Sequence, residues 1–203
     1  MSLFLVPPPV QTMNMKIDKP PLLNVDYPSV YGIKNNIIQH RINTTIYSLL
    51  LKLVQSLQYP QITTYVSTAY EIKNNQKDIL SLILDGLGDF HGAHPVNSRK
   101  SLTFDCLTGK NYELSELFKP GSEYIEKLSI IIKKQIKERN ITLTEDFKLI
   151  LPNQDYYVAD LCIVIYFQQY EIAPRPEGFP SFPIPIYSIQ DLIIDGGILF
   201  SLL

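Results

Sequence analysis

The stretch that decides the fold is residues 155–185, DYYVADLCIVIYFQQYEIAPRPEGFPSFPIP. Tyr156, Tyr157 and Val158 are strand formers, Ala159 and Asp160 offer a turn, and residues 162–167 (CIVIYF) form an unbroken apolar run. Such a run, β-branched and aromatic and too short for a buried helix, predicts a strand covered on both faces. The piece therefore reads as a hairpin. Pro174, Pro176, Gly178, Pro180, Pro183 and Pro185 then forbid a helix and predict an extended, rigid connection back into the fold.

The totals bound what the rest can be. A chain of 203 residues, 45% hydrophobic and 19% charged, buries most of its apolar surface without staples and is not disordered in bulk. A net charge of −2 argues against nucleic acid as the main ligand, since polyanion binders carry a basic excess. Cys106 and Cys162 lack CxxC spacing and lie in apolar surroundings, which predicts two free buried thiols. The start, MSLFLVPPPVQ, has no basic leader, and its apolar run is broken by prolines. The expectation is a chain cytoplasmic as synthesised, with spore or envelope deposition by another route as the alternative. No stretch reaches the length of a membrane span.

Upstream, residues 10–17 alternate as a strand, and Ile38, Ile42, Ile46, Leu49, Leu50, Leu53 and Leu57 recur at helical spacing over 36–57. Residues 62–73 and 79–84 read as an antiparallel hairpin turning at Asn74, Asn75 and Gln76, followed by a strand at 100–106 and a bulging loop at 85–98. A helical turn at 114–118 precedes a second helix, with Ser122 as N-cap and Leu128, Ile132 and Ile136 on its buried side. Short helical pieces are expected near 145–149 and 188–194. The implied division is an arm and first strand at 1–26, an N-terminal module at 27–112, a C-terminal module at 113–194 and an apolar tail at 195–203.

Several of these runs carry a resemblance: Tyr27-Pro28, Ile42-Asn43, residues 79–82 (ILSL), Gly92-Ala93-His94, Thr108-Gly109-Lys110, residues 114–118, and residues 166–174 (YFQQYEIAP) with Gly178 and Ile184-Pro185. In this order the chain resembles the RsiV-like lysozyme-sensing ectodomain family, paired bacterial domains of unknown function also found beside peptidoglycan deacetylase domains. The resemblance implies an α+β fold: an antiparallel sheet with two main helices packed on one side, and N- and C-terminal modules sharing a core. It also implies a non-catalytic binding role, with a lysozyme-like protein or a peptidoglycan fragment as ligand. The membrane anchor and sigma-binding segment of an anti-sigma factor have no match in the sequence, so sigma regulation is not implied.

Two polar constellations bear on a site. Asp85, Asp89, His91, His94 and Asp105 cluster around an HxxH spacing, but Gly86, Gly88 and Gly92 mark a loop and only two imidazoles are offered, so no metal is expected. Tyr166, Tyr170 and Glu171 stand beside the rigid loop with Arg175 and Glu177; they either line a polar pocket or satisfy backbone groups where the strand turns. No nucleophile elbow, phosphate loop or Cys/His pair is evident, and no cofactor is expected. The basic residues of the second helix are interrupted by glutamates and read as a solvated face. The expected ligand-binding residues are His94, Tyr170, Glu171 and Arg175, on the loops at 85–98 and 174–185. The apolar ends, residues 1–9 and 198–203, either fold back or join copies of the chain into a homo-oligomer, the self-assembling structural alternative to the binding role.

Overall fold

A computed structural model describes residues 10–19, 23–59, 65–90, 92 and 94–203. The class is α+β, with antiparallel pairing dominant and two main helices, α1 (Asn36–Ser56) and α2 (Tyr124–Glu138). The strands divide between two sheets. β1 (Gln11–Lys19), β2 (Leu23–Tyr31), β3 (Tyr65–Gln76), β4 (Ile79–Asp89) and β5 (Val96–Asp105) form a sheet in sequence order. All its pairs are antiparallel except β2–β3, which α1 connects as a crossover. β6 (Tyr156–Ala159), β7 (Cys162–Tyr166) and β8 (Ser181–Pro185) form a second, antiparallel sheet.

Side-chain alternation explains how these parts stack. Leu80, Leu82 and Leu84 of β4 join Ile42, Ile46, Leu50 and Leu53 of α1 in one core. Ile83, on the other face of β4, packs against Tyr157, Val164 and Tyr166 of the small sheet. The far face of that sheet, with Val158, Ile163, Ile165, Phe182 and Ile184, packs on Leu128 and Ile132 of α2. The order of layers is therefore α1, large sheet, small sheet, α2, with each helix covering the outer face of its own sheet.

The two sheets are joined by hydroxyls as well as by apolar contact. Ser81 Oγ lies 2.8 Å from Thr103 Oγ1 and accepts a hydrogen bond from Val158 N on the edge of β6 at 2.9 Å. Tyr166 Oη donates to Ser101 Oγ at 3.0 Å, and Ser101 Oγ donates to the Tyr156 carbonyl. These bonds satisfy outward groups of the β6 edge, among them the buried Val158 N–H.

Several elements differ from the sequence reading for identifiable reasons. The first hairpin turns at Lys77 and Asp78, both left-handed (φ 53° and 58°), as a two-residue hairpin turn requires; Asn74–Gln76 lie in β3 beyond a bulge. β4 runs on to Asp89 and β5 begins at Val96, so most of the expected 85–98 loop is hairpin. Gly86 is there for packing: a Cβ would stand 2.9 Å from Leu57 Cδ1 and 3.1 Å from Leu53 Cγ of the α1 region. Residues 145–149 form no helix, because the flanking N–H groups of Thr144 and Ile150 donate to the Ile172 carbonyl and Ser129 Oγ. Glu123, not Ser122, is the N-cap residue of α2, and Ser122 Oγ is buried without a partner. The proline-rich connection contains a 3-10 turn (Arg175–Glu177) and the strand β8, in which Pro183 and Pro185 are accommodated at an edge. In place of the helical turn expected at 188–194, a 3-10 turn spans Ile186–Ile189. The apolar tail folds back, with Leu199 and Leu202 in the α2-side core; residues 1–9 lie outside the described residues.

Both thiols are free, Cys106 buried and Cys162 half-buried. Burial, with Asp105 and Asp78 nearby, pushes the Cys106 thiol up to about 12. Because its folded pKa lies above the unfolded value, Cys106 favours folding below the unfolded pKa, and that contribution is lost as pH climbs through the window up to about 12. At pH 8 a disulfide exchange reagent is expected to modify Cys162 in the folded chain while Cys106 reacts only after denaturant is added; equal rates would contradict this packing. Ser81→Ala strands the Val158 N–H and is expected to cost about 1–3 kcal/mol in urea unfolding; a loss within about 0.5 kcal/mol would contradict the hydroxyl bridge.

Candidate binding cleft

Beyond the edge of the small sheet, the inner face of the large sheet is left open. Ser67 and Ala69 of β3, Asp85 and Leu87 of β4 and Asn97 of β5 point from this floor, and Phe179 of the proline-rich connection walls it. The cleft has a volume of about 290 Å³ and opens to solvent. That is room for one ring or one side chain, close to the lower limit of small-ligand pockets.

Its charged centre is a pair. Asp85 and Arg99 face each other in the β4–β5 register, and Arg99 Nε and Nη2 donate to the two Asp85 oxygens at 2.7 and 2.9 Å. The guanidinium lies 4.6 Å from the centre of the Phe179 ring and 6.0 Å from that of Tyr166. Burial pulls the Arg99 pKa down, but the bonds to Asp85 and its charge outweigh that and leave it raised. Burial, with Asp155 nearby, also holds the Tyr166 phenol well above its usual range. Arg99 is thus a fixed cation and Tyr166 a fixed neutral donor.

The connection is tied to the floor by Gln168. Its Oε1 accepts from Arg99 N at 3.1 Å, while its Nε2 donates to the Arg99 carbonyl and to Asp155 Oδ2, both at 2.7 Å. The side-chain amide takes the place of a neighbouring strand along β5. Asn97 Nδ2 donates to Gln169 Oε1 at 3.3 Å, and Lys100 Nζ lies 3.5 Å from Asp155.

The expected site residues divide around this cleft. His94 is exposed in the short link between β4 and β5; His91 lies outside the described residues. Tyr170 is exposed and left-handed (φ 67°), where the chain reverses after β7. Glu171 spends both carboxylate oxygens on the protein, accepting from Gln154 Nε2 at 2.9 Å and Gln168 N at 2.7 Å. That is the backbone-satisfying arrangement. Arg175 opens the 3-10 turn, and Glu177 accepts from Thr142 N at 3.1 Å. The two expected loop regions do meet at the cleft, but through Asp85, Leu87, Asn97 and Phe179. Asp85 stood among the polar candidates; Arg99, Gln168 and Phe179 did not. The signal for Arg99 was its place opposite Asp85 across the hairpin, visible only once β4 and β5 are extended. Among the described residues, no three His, Cys, Asp or Glu side chains gather to hold a metal ion.

Comparison with known proteins bears on the fold and the lineage. Residues 115–187 match the family model described as a protein of unknown function, DUF3298. The chain is 27% identical over 191 residues to the anti-sigma-V factor RsiV of Bacillus subtilis, a match covering 85% of this chain and 65% of RsiV. It is 21% identical over 131 residues to the peptidoglycan-N-acetylmuramic acid deacetylase PdaC of the same organism (61% of this chain, 28% of PdaC). It is also 25% identical over 122 residues to an esterase of Mycobacterium tuberculosis (56% of this chain, 52% of the esterase). The chain thus spans less than two thirds of the length of each of these relatives. Crystal structures of DUF3298 family proteins from Pseudomonas aeruginosa and Bacteroides fragilis share the fold, with TM-scores of 0.74 and 0.70 at 14% and 11% identity. Each covers 96% of this chain, and the match takes in 97% and 98% of theirs. The chain is thus similar to the DUF3298 family over residues 115–187 and to RsiV over most of its length.

Proposed function

We propose that this protein is a non-catalytic, sensor-type binding module that seats a lysozyme-like protein or a cell-wall glycan against the cleft between β3–β5 and the proline-rich connection. The observation that carries this reading is the state of the charged groups there. Asp85 and Arg99 neutralise one another in a two-point pair, Asp155 is held by Gln168, and Glu171 is consumed in holding the loop. A centre whose ionisable groups are all engaged is preorganised to recognise rather than to exchange protons. The similarity to RsiV, an anti-sigma factor, supports the same direction.

In this reading Phe179, Leu87 and Asn97 form the central contact, His94, Tyr170 and Arg175 lie on loops bordering it, and Glu171 acts by fixing the loop. The structural alternative, self-assembly through the apolar ends, has less apolar surface to use at the C-terminal end, where Leu199 and Leu202 are spent in the core and Phe200 and Leu203 stay exposed.

Light scattering after size exclusion tests the proposal, with the chain run alone and again with lysozyme or soluble peptidoglycan fragments. The expected result is a complex with lysozyme, or fragment binding by calorimetry, that Phe179→Ala weakens by at least about tenfold, the scale of a buried aromatic anchor. No complex with either ligand, or binding unaffected by Phe179→Ala and Asn97→Ala together, would contradict it. Because an esterase is among the relatives, the same preparation is assayed on a p-nitrophenyl ester. Hydrolysis no faster than the buffer blank is expected; turnover would overturn the non-catalytic reading.

A further inference from the structure

The two edges of the large sheet are treated in opposite ways. Along β5, outward backbone groups are occupied: Arg99 by the Gln168 amide, Thr103 by Asn111 Oδ1 and Tyr112 N, and Asp105 N by the Lys110 carbonyl. Along β1, no described strand pairs with the outer edge over any of its nine residues. β1 has neither proline nor bulge, and its register with β2 is unbroken from Gln11 to Lys19. An edge of this length left unpaired among the described residues is a template for another strand.

The side chains of β1 say which strand. Met13 and Met15 are 44% and 37% exposed on the α1 side of the sheet. Met15 borders an open groove of about 260 Å³ whose other walls include Tyr27, His40, Thr44 and Tyr47. We propose that β1 pairs antiparallel with β1 of a second copy, centred on Met15, to make a two-fold dimer with one continuous ten-stranded sheet. In this register all nine residues pair. Met15 meets Met15 and Met13 meets Ile17 on the groove side; on the other face Asn14 meets Lys16 and Thr12 meets Asp18. Charge selects it. Centring the pair on Lys16 would set the two lysines opposite each other, whereas centring on Met15 sets Lys16 against Asn14, whose amide already holds the Asp26 carboxylate at 3.1 Å. A one-residue slip of one copy would also turn its methionines to the wrong face.

The test uses the full chain. Light scattering over a concentration series is expected to show a dimer that Met13→Lys with Met15→Lys converts to monomer, both positions being exposed enough to leave the fold intact by circular dichroism. Mild oxidation then checks the register, since opposed Cα atoms in an antiparallel pair stand about 4.5 or 5.5 Å apart, within disulfide reach. Met15→Cys is expected to cross-link to itself, and Gln11→Cys only when mixed with Lys19→Cys, with the parent chain as the control for Cys106 and Cys162. A monomer at every concentration, a dimer indifferent to the double lysine variant, or cross-links only in another register would each overturn the proposal. No β1 residue lines the cleft, whose floor lies on β3–β5, so loss of lysozyme or glycan binding would leave the dimer result unaffected.

Discussion

β4 is buried on both faces, and the architecture follows from what each face requires. Leu80, Leu82 and Leu84 need a helix over them, and α1 supplies Ile42, Ile46, Leu50 and Leu53. Ile79, Ser81 and Ile83 need cover on the reverse side, and only a second layer can give it. The small sheet does so, at the cost of burying the edge of β6 against the larger sheet. A buried edge is tolerable only with hydrogen-bond partners, and Ser81 and Ser101 provide them. The two sheets become neighbouring layers through β4, which packs α1 on one face and the small sheet on the other.

The same economy recurs wherever a backbone segment lacks a neighbour. Asn43 of α1 bonds both the N–H and the carbonyl of Val30, and Asn75 does the same for Val10. Thr68 bridges Asp26 in β2 through both its N–H and carbonyl, where the parallel ladder stops. Gln168 gives Arg99 both bonds that a neighbouring strand would give. In each case one polar side chain supplies both the acceptor and the donor that a neighbouring backbone would give. For Gln168 the effect reaches the cleft, since it ties the start of the proline-rich connection to Arg99 and Asp155 beside the cleft floor.

Much of this was legible in the order of residues. The spacing of Ile42, Ile46, Leu50 and Leu53 marks α1 to within a residue of its C-terminal end, and the unbroken run at 162–167 marks a strand covered on both faces. The glycines misled. Gly86 and Gly88 read as loop residues, yet Gly86 is a flat spot in a strand, made necessary by Leu53 and Leu57 of a helix distant in sequence. That single misreading shortened β4 and hid Asp85 opposite Arg99. Glu171 was visible as a polar residue beside tyrosines, but only the fold shows its oxygens turned toward Gln154 and Gln168 N. Pro183 and Pro185 marked an extended connection, and part of it is the edge strand β8, which tolerates them where their missing N–H faces away from its partner.

In the proposed function, the floor of the large sheet and the connection tied to it by Gln168 form one preorganised recognition surface. Amide hydrogen exchange of the whole chain, with and without saturating lysozyme or peptidoglycan fragments, tests it most directly. Added protection is expected at 67–69, 85–87, 97–99 and 168–180 together, with α2 and the α2-side core unchanged. Protection confined to α1 or α2, with those four segments exchanging as in the free protein, would contradict it.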